Sequence, residues 1–375
     1  MIDKKWYSVA ESQTWLSPLS WIYKRGQSFD KAKKLAQQRA HIEELNQVRR
    51  AGNKVPFIIA VGNINVGGVG KTPTTLWLVN HLRSQGYRVA ILTRGYGVKR
   101  DSKDVLVLDS HTPDKDPSTF GDEPVLLQKR TQVPVIICAE RMNGLRKIIK
   151  DFAGVDIVVC DDALQHYQLP RDFEFAVVDA SLGFGNGHLL PQGPLRELPA
   201  RLGQCDSVLI NGIDSISALS SELEEPLKQY TRQQDWLFAK ATIDHGVSLS
   251  SGNIASIDSI RQQSLNKNIV AFAGIAHPEK FFSSLSELGF TFAACRSFSD
   301  HQSFSSAIFD TDLFESADYI FCTEKDAEKC RPFANEKWLF FPISLHFEAE
   351  ALYRFTNKLG EKITSYQALH AATTD

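Results

Sequence analysis

The chain of 375 residues contains no run of about 20 apolar side chains, so no segment is predicted to cross a bilayer as a helix. Its six cysteines (Cys138, Cys160, Cys205, Cys295, Cys322, Cys330) form no CxxC pair, which argues against a zinc site or a disulfide framework. Most of them sit in or beside apolar runs, where a free thiol acts as a small hydrophobe, and a reducing cytosol is expected. The start lacks the ordered charged, apolar and cleavage regions of a signal peptide, and no internal repeat or low-complexity tract stands out. Net charge is nearly absent too, at −2. What is there is ordinary: 43% hydrophobic and 23% charged residues exclude a disordered, collagenous or coiled-coil chain. The length suggests two or three domains.

The near-zero charge hides an asymmetry. Residues 1–50 carry ten basic and five acidic side chains, and the other 325 carry 32 basic and 39 acidic. Three of the six tryptophans (Trp6, Trp15, Trp21) fall in the first 21 residues, among Tyr7, Leu16, Leu19, Ile22, Tyr23 and several lysines. Aromatic rings suit the water–headgroup boundary and Lys/Arg are drawn to anionic lipid, so residues 1–30 are expected to lie on a membrane surface. A helix packed on the core with a solvated basic face has the same pattern. Nucleic-acid binding is not expected, since the rest of the chain is net acidic.

Phe57–Gly62 is a short apolar run that reads as a buried strand, followed by a Gly-rich loop and a helix over 71–85. Further strands are predicted at 88–93, 105–109, 133–138, 155–160, 173–179 and 207–211, with helices such as 141–152 between some of them. Strand alternating with helix predicts an α/β fold, a P-loop NTPase-like, mostly parallel sheet covered on both faces. Polar stretches at 212–222 and 244–267 mark a boundary, after which strands at 269–275 and 319–323 flank a helix at 278–288. The expected organisation is an amphipathic segment (1–50), a P-loop core (51–235), a smaller α/β lobe (236–347) and a C-terminal helix (348–375).

The strongest local signal is Gly67-Gly68-Val69-Gly70-Lys71-Thr72, which follows a strand and opens a helix. Glycines let backbone N–H groups turn around phosphate oxygens, and the helix N-terminus adds positive potential. ATP is therefore expected over Asn65, Val66, Gly67, Gly68, Val69, Gly70, Lys71, Thr72 and Pro73, with Lys71 reaching the β/γ-phosphates and Thr72 ligating Mg²⁺. The usual first glycine of this motif is Asn65 here, and the leading Lys of the deviant variant is Val66.

A second apolar strand ends in Asp161-Asp162, the acidic pair that organises Mg²⁺ in such enzymes. Adjacent carboxylates repel, so they should share a cation or a proton. Gln165 and His166 follow within reach of phosphate, metal or substrate. Asp122, in Gly121-Asp122-Glu123-Pro124, precedes a helix and is also a natural N-cap. Asn186, Arg196 and Glu197 lie in a Gly/Pro-rich loop after the strand ending at Asp179, where α/β proteins bind substrates.

Together and in this order, these motifs resemble the tetraacyldisaccharide 4′-kinase family, the lipid A 4′-kinases of Gram-negative bacteria. The matching stretches are Gly62-Asn63, Gly67 to Pro73, Thr93-Arg94-Gly95-Tyr96-Gly97, Gly121 to Pro124, Asp161 to His166, Phe184 to Gly187, Gly193 to Glu197, Ala273-Gly274-Ile275, Asp300-His301 and Thr323 to Ala327. One position departs: Ala163 stands where the family has Gly, so that turn must avoid φ > 0 or carry strain. The resemblance implies ATP- and Mg²⁺-dependent phosphorylation of the 4′-hydroxyl of tetraacyldisaccharide 1-phosphate, giving lipid IVA, by a monomer at the cytoplasmic face of the inner membrane. It also implies that Asp122 and His301 form a dyad activating the hydroxyl. Asp161 and Asp162 would hold the metal, Arg94, Gln165, His166, Asn186, Arg196 and Glu197 would face the substrate, and Lys325 would lie near the nucleotide's base or sugar. Because Asp122 and His301 fall in different lobes, catalysis should need lobe closure. The other reading is a membrane-recruited switch ATPase of the deviant P-loop class, against which Val66 counts. A small-molecule kinase leaves the aromatic, basic start unexplained.

Overall fold

The computed structural model describes residues 6–7, 14–95, 101, 103–300 and 302–371. Tyr96, Gly97, His301 and the lysines at 4 and 5 lie outside the described residues. Two sheets carry the fold. The larger has nine strands in the order β15-β8-β7-β6-β1-β5-β2-β4-β3. Its members are β1 (Phe57–Gly62), β2 (Val89–Thr93), β3 (Leu106–Leu108), β4 (Val135–Ile137), β5 (Ile157–Cys160), β6 (Phe173–Asp179), β7 (Ser207–Asn211), β8 (Trp236–Thr242) and β15 (Ser344–Phe347). All pairings from β8 to β4 are parallel, and only the edge strands β15 and β3 run antiparallel.

Side-chain alternation along β1 explains why both faces are covered. Phe57, Ile59 and Val61 join a core with Leu78, Val79 and Leu82 of helix Lys71–Ser84 and Phe355, Leu359 and Ile363 of helix Ala349–Ala371. Ile58 and Ala60 point the other way, into a core with Met142, Leu145 and Ile148 of helix Arg141–Asp151 and Leu45 of the first long helix. Each large side chain so buried contributes about 1.5–3 kcal/mol.

The smaller sheet has the order β10-β9-β14-β13-β11-β12, formed by β9 (His245–Ser248), β10 (Ile254–Ser256), β11 (Ile269–Ala273), β12 (Ala294–Ser297), β13 (Tyr319–Thr323) and β14 (Trp338–Phe341). The boundary expected at 235/236 therefore falls one strand early. Trp236–Thr242 pairs with β7, and Ser344–Phe347 returns to pair with it, so the smaller sheet is drawn from 245–341 rather than spanning 236–347. The C-terminal helix packs on the larger sheet.

Helix Ser17–Arg50 has 34 residues, of which only Ser20 and Leu45 are buried. Leu45 anchors it at one end, Gln38 and His41 contact the carbonyls of Leu169 and Gln168, and Arg146 pairs bidentately with Glu44. At its start Trp15, Leu19, Trp21, Ile22 and Phe29 stand in solvent, Trp15 and Phe29 about three-quarters exposed (74% and 76%).

Candidate active site

The parallel strands all end on one edge of the larger sheet, and there the expected residues converge. The loop after β1 enters the helix through Gly70, whose φ of 94° is left-handed. A Cβ at Gly70 would stand 2.4 Å from Asn211 Nδ2, so glycine is required there for both conformation and space. Asn211, at the end of β7, donates to the Val69 carbonyl at 3.1 Å. Asn65 Nδ2 donates to Gly183 O at 2.9 Å, and the Val66 N–H donates to Pro194 O at 2.8 Å. These two residues tie the loop to the 183–194 segment. In this structure the Val66 N–H is directed at that frame, leaving the turn beyond it to face a phosphate.

Lys71 Nζ donates to Asn63 Oδ1 at 3.1 Å and lies 3.6 Å from Asp162 Oδ1. Thr72 and Pro73 are half-buried in the first turn. One turn later Thr75 donates to Asp161 Oδ1 at 2.8 Å, fixing that carboxylate beside the loop. Burial, then the charges of Glu123 and Asp162, push Asp161 up to about 6. Burial also acts to raise Asp162, but Lys71 and Arg196 outweigh it and hold that carboxyl below the usual range. Asp162 itself takes the left-handed conformation, at φ 46°. That resolves the Ala163 question: the positive φ of this turn falls one residue earlier, and buried Ala163 donates its N–H to Val61 O at 2.8 Å without strain.

Arg196 Nη1 lies 3.3 Å from both oxygens of Asp162. Gln165 Nε2 donates to Asn63 O and to Glu197 Oε1, both at 2.8 Å. Glu197 also accepts from the Tyr167 hydroxyl and lies 3.8 Å from Arg201, which pairs with Glu174 at 2.7 Å. A buried polar chain thus braces Gln165 against the loop. His166 is pushed down to about 3, first by burial and then by Arg141, so its ring is neutral near pH 7. Asn186 donates to Gln192 O and accepts from the His188 N–H, which makes it a brace of its own loop. Arg94 is exposed at the end of β2.

Across the cleft, Asp122 is the first residue of helix Asp122–Thr131, whose N-cap is Gly121 rather than Asp122. Buried Asp122 accepts the Glu123 N–H at 3.0 Å and lies 3.2 Å from Lys329 and 3.8 Å from Lys325. Lys325 also reaches Glu123 at 3.6 Å and Asp300 at 3.1 Å, so its ammonium is turned to this acidic group. Asp326 accepts from the Gly274 N–H at 2.8 Å and from the Thr323 hydroxyl at 2.7 Å. The lobes are further joined by Lys129–Glu328, Arg130–Glu324 (2.7 Å) and Lys280–Asp179 (2.8 Å).

This donor set fits Mg²⁺ with nucleotide phosphates. Thr72, Asp161 and Asp162 offer hard oxygens, the donors that Mg²⁺ prefers. Among the described residues no cluster of three His, Cys, Asp or Glu could hold a metal by itself. That suits Mg²⁺, which commonly binds through one or two carboxylates plus phosphates and water.

Residues 12–360 match the family of tetraacyldisaccharide-1-P 4′-kinases, LpxK. The tetraacyldisaccharide 4′-kinase of Pasteurella multocida is 39% identical over 304 residues, covering 81% of this chain and 85% of that protein. The enzyme of the same name from Aliivibrio fischeri is 34% identical over 361 residues, covering 96% and 99%. The chain belongs to the tetraacyldisaccharide 4′-kinase family. The crystal structure of LpxK from Aquifex aeolicus in complex with ATP shares its fold, with a TM-score of 0.69 at 23% identity, over 93% of this chain and 99% of that one.

Family membership makes the chain a kinase, and no helix among the described residues is long and apolar enough to cross a membrane. Several residues that shape the site were not predicted. Arg141, buried, donates to Asp161 O at 3.1 Å and Cys138 O at 2.6 Å, supporting the Asp161 turn from behind. In sequence it is a lone Arg at a helix start, which reads as surface. Tyr167, Arg201 and Lys329 carry no motif; only distance in space reveals them.

Proposed function

We propose that this chain transfers the γ-phosphoryl group of ATP to the 4′-hydroxyl of tetraacyldisaccharide 1-phosphate, giving lipid IVA. The observation that carries this reading is Lys71 Nζ held between Asn63 and Asp162 while Arg196 lies 3.3 Å from both oxygens of Asp162. In it, the loop from Gly67 to Thr72 cradles the β- and γ-phosphates and Lys71 neutralises charge that develops on the γ-phosphoryl. Mg²⁺, held by Thr72, Asp161 and Asp162, supplies further neutralisation of the phosphates when bound. Asp122 and His301 orient the 4′-hydroxyl and take its proton as the new O–Pγ bond forms and the β,γ-bridging bond breaks. Arg94, Gln165, His166, Arg196 and Glu197 face the acceptor, with Asn186 shaping their loop, and Lys325 orients the Asp122 side of the cleft.

The start of the chain, through about residue 30, rests on the cytoplasmic leaflet of the inner membrane, where the acceptor lipid is; the exposed Trp15, Trp21, Ile22 and Phe29 support that reading. The protein works there as a peripheral monomer. The test is a transfer assay with ATP, Mg²⁺ and the tetraacyl disaccharide 1-phosphate. Asp122→Ala and His301→Ala should each lower turnover by about 100-fold or more. Wild-type turnover in both, with folding intact, overturns the dyad. ATP-dependent dimerisation without phosphate transfer overturns the kinase reading in favour of a switch ATPase.

A further inference from the structure

We infer that Lys329 is a positioning residue for Asp122, setting from the smaller lobe the carboxylate that activates the acceptor in the larger one. This rests on the reading of Asp122 as a member of the activating dyad. Lys329 lies near the end of helix Glu324–Cys330, with its side chain 11% exposed. Its Nζ is 3.2 Å from Asp122 Oδ2 and 3.9 Å from Asp326 Oδ1, and it makes no hydrogen bond of ordinary geometry among the described residues. Its ammonium also stands 5.6 Å from the centre of the Phe304 ring, on the same lobe.

The two oxygens of Asp122 are therefore held differently. Oδ1 accepts the Glu123 N–H of its own helix, while Oδ2 points across the lobe boundary at Lys329. Lys325, one turn earlier on the same helix face, stands behind at 3.8 Å and divides its charge among Asp122, Glu123 and Asp300. Among the described residues the charged groups around Asp122 include Glu123, Asp300, Asp326, Lys325 and Lys329. Of the two ammonium groups, only Lys329 is close enough to fix the carboxylate's rotation as well as its charge. A purely mechanical role is already filled, because Lys129–Glu328, Arg130–Glu324 and Lys280–Asp179 join the lobes without touching Asp122. The activating carboxylate is accordingly complete only when the smaller lobe is seated.

The test compares Lys329→Met, Lys329→Arg and Lys129→Met in the full chain, measuring kcat and the KM values for ATP and for the tetraacyl disaccharide 1-phosphate. Lys329→Met should lower kcat by about 30-fold or more with KM for ATP within about twofold, and Lys329→Arg should recover most of it. Lys129→Met, which breaks a lobe contact on the same two helices, should cost less than about threefold. Where Lys329→Met does not fold by thermal unfolding, Lys329→Gln carries the same expectation. A wild-type kcat in Lys329→Met while Asp122→Ala is inactive overturns the positioning role and leaves the Asp122 reading standing. Equal losses in Lys329→Met and Lys129→Met overturn it in favour of lobe docking alone. An active Asp122→Ala overturns the reading beneath it.

Discussion

The strand that feeds the phosphate loop and the helix that opens the chain are built on opposite terms. All six residues of β1 are buried, whereas the 34-residue helix before it buries only Ser20 and Leu45. At the loop Asn65, Lys71, Thr75 and Asn211 are bonded to neighbouring groups; along the helix start, large apolar side chains face water. The difference separates two kinds of requirement. The cradle has to be rigid before its ligand arrives, since phosphoryl transfer depends on donors already in place. The helix start leaves apolar area in solvent, which the proposed membrane docking would cover.

Three variants break or sharpen that contrast. The largest effect belongs to Lys71→Ala, which should lower kcat/KM by about 10³-fold in the transfer assay while leaving binding to anionic vesicles unchanged, because in the proposed mechanism Lys71 neutralises the charge that develops on the γ-phosphoryl. Next is Asp161→Asn in metal-free protein. The Asp161 carboxyl is raised to about 6 in the folded state, so its protonated form favours folding below the ordinary carboxylate range. That contribution is lost as pH rises from about 4 through 6, and at pH 7.5 the ionised group destabilises the fold. The Asn variant should therefore be more stable than wild type by about 2 kcal/mol at pH 7.5, with no advantage below pH 4, as read by denaturant unfolding. Added Mg²⁺ should narrow the gap. An unchanged stability would mean that the carboxylate is not under electrostatic load. The smallest change is expected from replacing Trp15, Trp21 and Phe29 together by Ser. Partition onto anionic vesicles should fall about tenfold, read by co-sedimentation, with nucleotide affinity unaltered. Point changes are sharper here than removing residues 1–30. Ser20 bridges Leu189 O and the Gln192 N–H, and Tyr23 and Gln27 donate to Arg196 O, so a deletion also disturbs the site.

The parallel centre of the larger sheet was legible because buried strands are continuous apolar runs: Phe57–Gly62, Phe173–Asp179 and Ser207–Asn211 fall where their composition predicts. The edges were not. His245–Ser248 and Ile254–Ser256 form a short antiparallel pair inside a Ser-rich stretch, where backbone pairing does the work and side chains give no signal. Trp236–Thr242 was assigned to the wrong lobe because a strand's partner is a matter of tertiary pairing. In the site, Lys71 and the Asp161-Asp162 pair are expected from the Gly-rich loop and the acidic strand end, and the structure brings Lys71 to 3.6 Å from Asp162. Arg141, Tyr167, Arg201 and Lys329 were hidden because each acts on a residue about 20 or more positions away, or across the lobe boundary. The motif positions of Asn65 and Asn186 predict ligand-facing side chains, yet their amides are directed at loop carbonyls.

The first helix spans about 50 Å at about 1.5 Å per residue. Near its start Ser20, Tyr23 and Gln27 grip the loop that carries Arg196. Near its end Arg49 donates to the Tyr366 hydroxyl, which in turn donates to the carbonyls of Val55 and Pro56, just ahead of β1. One helix therefore touches the loop that carries Arg196 at one end and the chain just ahead of β1 at the other. Under the proposed membrane docking, the plane on which this helix rests would set the tilt and height of the catalytic cleft above it.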